Sequence, residues 1–93
     1  MNQSLPSRKM QTPDWVTWCV DVNRVIVIDQ QLGISLTLSG LQAAVWSWFS
    51  LGYGRSRAVE LAAAAENQTE TSADQRVRSM VDEWIASGLV VEK

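Results

Sequence analysis

The feature that most constrains the fold is a change of hydrophobic period near residue 39. Before it, apolar residues recur at every second position, as in Val16, Trp18, Val20 and again in Ile34, Leu36, Leu38. After it they recur every third and fourth, as in Leu41, Val45, Trp48, Phe49 and again in Val77, Met80, Val81, Trp84. A period of two sends side chains to opposite faces of a strand, whereas a period near 3.6 draws one stripe along a helix. The chain therefore places strands first and helices second. With 93 residues it has room for one core only. The layout implied is α+β, with helices covering one side of a small sheet.

The first half reads as three strands. Val16, Trp18, Val20 and Val22 fall on one side, and Trp15, Thr17, Cys19 and Asp21 on the other. Asn23-Arg24 interrupts, and Val25-Ile26-Val27-Ile28 follows as an unbroken β-branched run, the pattern of a strand covered on both faces. Asp29–Gly33 is a short polar link ending on glycine, suited to a hairpin with a left-handed residue. Ile34, Leu36 and Leu38 then alternate with Ser35 and Thr37. Links this short make consecutive strands antiparallel. Residues 1–13 are polar, hold Pro6 and Pro13 and lack any period, which predicts a flexible N-terminal arm before a domain spanning 14–93.

Three helices follow. Ser39 and Gln42 have capping-box spacing, and Gly52-Tyr53-Gly54 ends the first helix. Trp46 lies off the stripe of Leu41, Val45, Trp48 and Phe49, so this helix should be covered by both the sheet and another helix. Ser56 is positioned to cap a second helix over 57–66, rich in alanine. Ser72 and Gln75 repeat the capping spacing, and Val77, Met80, Val81, Trp84 and Ile85 form the third stripe, closed by Gly88. Leu89-Val90-Val91 is an apolar end expected to dock on the core.

Composition narrows the function. Histidine is absent, so there is no Ser-His-Asp or Cys-His nucleophile and no imidazole metal ligand. The single Cys19 cannot build a zinc site or an intrachain disulfide, and it reads as a small apolar strand residue. Asp82 and Glu83 are neighbours on a helix and diverge by about 100°, which prevents a paired acid and base. Gly52-Tyr53-Gly54 lacks the strand and lysine of a phosphate loop. Catalysis, a metal and a cofactor are accordingly not expected. Neither a membrane-length apolar run nor a signal-peptide layout is present, and no disulfide framework, so a cytoplasmic protein is expected. A formal charge of −2 argues against a nucleic-acid partner.

Three blocks carry a family resemblance. Val27-Ile28-Asp29, Gly33 and Leu36-Thr37-Leu38-Ser39 resemble the L-L-D…G…y-x-L-N segment of PqqD-like proteins. Gln42-Ala43-Ala44-Val45-Trp46-Ser47-Trp48-Phe49 is similar to their G-A-A-I-W-x-L-L helix. Val81-Asp82-Glu83-Trp84-Ile85-Ala86-Ser87-Gly88-Leu89-Val90 resembles their F-L-x-x-L-x-x-x-G-L-I/V ending. The blocks occur in the family's order between Arg24 and Val91. Ser39 stands where the family favours Asn, and Trp48 where it favours Leu.

The resemblance implies a winged-helix-like domain, a three-stranded antiparallel sheet followed by three helices. It implies a non-catalytic recognition element for ribosomally made, modified peptides. Such elements hold the leader segment of a precursor peptide and bring it to a modifying enzyme: a radical S-adenosylmethionine (radical SAM) maturase, a leader peptidase or a cyclase. The leader joins the sheet beside the third strand, in a groove walled by the third helix. Mapped here, that places peptide on Ile34, Ser35, Leu36, Thr37 and Leu38, and on Arg76, Val77, Met80, Val81 and Trp84.

The residues themselves are compatible with this. The third strand carries no proline and no charge to block its edge, although Leu89–Val91 could cover that edge instead. Val77, Met80, Val81 and Trp84 also fit ordinary core. Arg76 and Arg78 suit either leader carboxylates or plain solvation. Trp15 and Trp18, on opposite faces of the first strand, suit a docking surface or cover for the N-terminal tail. Two other readings stand beside this one. One is an enzyme-docked adaptor that activates a radical SAM protein and has little leader affinity of its own. The other is a winged-helix DNA-binding regulator, disfavoured because Arg55 and Arg57 are followed by alanines and Asp29–Gly33 has no cation. An unblocked edge is compatible with a monomer or a homodimer.

Overall fold

The computed structural model describes residues 10–92. In chain order the elements are β1 (Met10–Gln11), β2 (Val16–Asp21), β3 (Arg24–Asp29), β4 (Ile34–Ser39), α1 (Leu41–Ser50), α2 (Arg55–Glu66), α3 (Glu70–Ala86) and β5 (Val91–Glu92). β2, β3 and β4 form an antiparallel sheet in that spatial order, and β1 pairs with β5 in a separate two-stranded ribbon. Three strands followed by three helices is the architecture expected. Of the arm expected at 1–13, residues 1–9 lie outside the described residues. Met10 and Gln11, in contrast, are tied to Glu92 and Val91.

Register sets the two faces of the sheet. Val16, Trp18 and Val20 lie opposite Asp29, Val27 and Val25, which lie opposite Ile34, Leu36 and Leu38. Residues directly opposite share a face, and this is the face that meets the helices. Val25, Val27 and Leu38 are each 1% exposed there and join Val45, Phe49, Val77, Val81 and Trp84 in one core. On the other face, Thr17, Cys19, Ile26, Ile28, Ser35 and Thr37 are exposed, or in the case of Ile26 half-buried. The Val25–Ile28 run is thus covered on one face, not two. All three helices follow the sheet in sequence and pack on the same side, so Ile26 and Ile28 are left facing outward.

The helix ends are made differently from the sequence expectation. α1 starts after Gly40 (φ 59°) with no side-chain cap, so Ser39 remains in β4. α2 starts at Arg55 after Gly54, also without a side-chain cap, and Ser56 lies inside the helix. α3 is capped by Thr69, whose hydroxyl accepts the Ser72 N–H at 3.1 Å. The C-termini follow expectation. Gly88 (φ 77°) donates to Ile85 and Leu89 donates to Trp84, a Schellman closure that turns Leu89 and Val90 into the core.

At the centre is a row of indoles. Trp46 of α1 meets Trp18 of β2 edge-to-face at 5.7 Å, and Trp84 of α3 at 5.1 Å. This explains why Trp46 lies off its helix's main stripe: one side of α1 faces the sheet and the next faces α3.

Candidate functional site

The two-residue turn Val22-Asn23 fixes which backbone groups of the sheet are free. Such a turn closes on a hydrogen-bonded pair, here Asp21 and Arg24, and hydrogen-bonded pairs alternate along an antiparallel ladder. Arg24, Ile26 and Ile28 therefore bond to β2, leaving Val25, Val27 and Asp29 to bond to Leu38, Leu36 and Ile34. The backbone groups of Ser35 and Thr37 point the other way. They line the free edge of β4, and their side chains sit on the outer face.

The alternate residues complete the site. Ile34 and Leu36 turn to the helix-facing side, yet they are 55% and 42% exposed, while Leu38 two positions on is buried. The helices reach Leu38 and stop short of the strand's beginning. An added strand at this edge would find hydrogen-bonding groups at Ser35 and Thr37 and apolar surface at Ile34 and Leu36. The tail does not occupy it, because β5 is paired with β1.

Asp29 prepares this edge. Its carboxylate is 3% exposed and accepts the N–H groups of Gln31 and Leu32, each at 3.0 Å, while its carbonyl accepts Gly33 N–H at 2.9 Å. With Gly33 in the left-handed region at φ 67°, the link is a compact loop that delivers Ile34 into register opposite Asp29. Sequence reading assigned the loop but not this role. The available signal is an aspartate opening a short link, whose side chain can accept N–H groups two and three residues on.

α3 presents a different picture. Val77, Val81 and Trp84 are at most 2% exposed and serve as the backing of the wall. Met80 is half-buried at the margin of this stripe, and Ile85 is 38% exposed on the opposite margin. Arg76 reaches Glu66 of α2 at 2.8 Å, and Arg78 reaches Asp74 at 3.1 Å. Of the ten residues expected at the site, Ile34, Ser35, Leu36, Thr37, Met80 and Arg76 have surface to offer. Leu38, Val77, Val81 and Trp84 lie behind it. Among the described residues no cluster of His, Cys, Asp and Glu could hold a metal ion, and no helix is long and apolar enough to cross a membrane.

No protein-family model matches the chain, and no curated protein matches it in sequence. Solved structures do. TbiB1 in complex with the TbiA(beta) leader peptide superposes with a TM-score of 0.81 at 16% identity, over 86% of this chain and 93% of that one. A lasso peptide synthetase B1 complexed with the leader peptide superposes with a TM-score of 0.82 at 11% identity, over 89% of this chain and 98% of that one. This chain has their fold. The agreement covers nearly the whole of each neighbour rather than one hairpin or helix pair, so the order of strands and helices and their packing are shared. At such low identity, what is common is the architecture.

Proposed function

We propose that this protein is a non-catalytic recognition domain, PqqD-like in kind. It captures the leader of a ribosomally made precursor peptide by strand addition at β4 and delivers it to a modifying enzyme. The observation that carries this reading is the β4 edge itself. Its outward backbone groups at Ser35 and Thr37 are unpaired by any described strand, and Ile34 and Leu36 stand exposed beside them. The fold supports it, since both neighbours named above are described as complexes with a leader peptide. The leader lies along β4 with alternate side chains on Ile34 and Leu36. Met80 and the aliphatic stem of Arg76 form the facing wall. The enzyme served is a leader peptidase, a cyclase or a radical SAM maturase. The neighbours favour a lasso-peptide precursor as the first leader to try.

The test is a titration of the full chain with a synthetic leader taken from any short precursor found encoded beside it, following backbone amide shifts. Saturable shifts concentrated at Ser35 and Thr37 and around Met80 are the expected result. Absence of binding to the chain, alone or with the neighbouring enzyme, would overturn the reading.

A further inference from the structure

We propose that two copies of this chain associate through β2, the edge of the sheet opposite β4. The ladder alternation that frees Ser35 and Thr37 also leaves the backbone groups of Trp18 and Val20 on the outer side of β2. No described residue bonds them, whereas the Val16 N–H already donates to Pro13 at 3.0 Å. Free edges are ordinarily protected by a charge, a proline, a bulge or a very short strand. β2 has six residues in unbroken register with β3, no proline, and no charge before Asp21 at its end. Its side chains are open to solvent: Trp18 is 37% exposed, Val20 67%, and the free thiol of Cys19 is exposed as well.

The free groups select the partner and the register together. A two-fold axis sets a strand antiparallel to its own copy, so the patch has to complement itself. Only one register satisfies Trp18 and Val20 entirely with free groups. It places Trp18 opposite the partner's Val20 and Val20 opposite the partner's Trp18, as two hydrogen-bonded pairs. A shift of two residues one way brings Val20 onto the partner's Val16, whose N–H is taken. The other way carries Trp18 onto the partner's Val22, which lies in the turn. In the favoured register each indole lies beside a valine on the helix-facing side, an aromatic and β-branched pairing that stabilises antiparallel ladders. On the outer face Asp21 meets the partner's Thr17, so no like charges are brought together, and Asp21 is itself held by Arg24 at 2.6 Å. Cys19 falls on the axis, opposite the partner's Cys19, in a non-hydrogen-bonded pair with Cα atoms about 4.5 Å apart.

A ladder this short buries less than the roughly 1,200 Å² at which stable complexes begin. The dimer is accordingly weak and forms at high protein concentration. β4 lies two strand spacings from β2, about 10 Å, so both β4 edges stay open at the two ends of the joined sheet. The proposal is independent of what β4 binds.

The test is sedimentation of the full chain under reducing conditions, from about 10 μM to about 1 mM. The expected result is a monomer at the low end and a growing dimer fraction at the high end. Val20→Lys puts a charge on the free edge at an exposed position, and should weaken association by about tenfold or more with the unfolding midpoint unchanged. In a second measurement, glutathione disulfide replaces the reductant and takes up the electrons and protons of two Cys19 thiols. The Cα separation suits a disulfide, so a covalent dimer linked through Cys19 should form in the native chain and about tenfold more slowly in Val20→Lys. A chain that stays monomeric at about 1 mM would overturn the proposal. So would a dimer that Val20→Lys leaves intact, or one that Thr37→Pro at β4 abolishes.

Discussion

Single residues set the two ends of β3, and they do so with opposite economy. Asp29 buries a carboxylate but satisfies it with two backbone N–H groups of its own loop. Asp29→Ala removes the one carboxylate oxygen that accepts both bonds and strands the two donors, so we expect a loss of about 2–3 kcal/mol. That is a fall in Tm of roughly 10 °C or more for a domain of this size. Asp29→Asn keeps a carbonyl acceptor and should cost about 1 kcal/mol. Thermal unfolding of the two variants distinguishes a positional role from simple burial. At the other end, Val22 adopts φ 57°, a region costly for a β-branched residue, and does so in a turn where it is 86% exposed. Relieving about 1–2 kcal/mol of backbone strain against about 0.5–1 kcal/mol of glycine entropy makes Val22→Gly stabilising, by up to about 1.5 kcal/mol. Urea unfolding should show a higher midpoint. A lower one would mean that the Val22 side chain holds the turn through packing.

Elements were legible in the sequence where period decided them and illegible where geometry between elements did. Alternation locates β2 and β4, the unbroken β-branched run locates β3 but not its single covered face, and the Val77–Trp84 stripe locates α3, because face selection is a local matter. The N-caps were misplaced because Ser39, Ser56 and Ser72 all match the cap chemistry, and the loop's path decides which residue sits at the first turn. Gly40 and Gly54 hold two of those positions, and Thr69 the third. The same limit applies to the site. Period assigns Ile34, Leu36 and Leu38 to one face, yet only the extent of helix cover separates exposed Ile34 and Leu36 from buried Leu38. The ladder phase gives the sharpest test at this scale. Thr37→Pro removes an N–H from the free edge and leaves the β3 ladder intact, which an edge strand tolerates. We expect it to abolish leader binding while costing little stability. Leu36→Pro breaks a ladder bond to Val27 and should cost about 3 kcal/mol or more. Binding isotherms and melting curves for both variants check the assignment. Equal loss of stability in the two would place the phase wrongly.

At the scale of the whole molecule, charge is spent internally. Arg24 pairs with Asp21, Arg57 with Glu60, Arg76 with Glu66 and Arg78 with Asp74, on a chain whose formal charge is −2. These pairs are solvent-exposed and worth little individually, about 0–1 kcal/mol each, but among the described residues they leave no concentrated positive field to draw a polyanion. Leader recognition at β4, as proposed, would then rest on backbone bonds and apolar contact. Both are short-ranged and insensitive to ions, in contrast to phosphate binding, where released counterions make affinity fall steeply with salt. Raising salt from about 0.1 M to 1 M cuts the screening length from about 10 Å to 3 Å. Leader affinity should change by less than about threefold across that range, since less than one exposed ion pair is at stake. Arg76→Met, which keeps the stem and drops the charge, should bind leader within the same margin. Tryptophan fluorescence titrations at the two salt concentrations decide it. A tenfold or greater fall with salt, matched by Arg76→Met, would show that Arg76 leaves Glu66 to meet a leader carboxylate, and that the groove selects its peptide by charge.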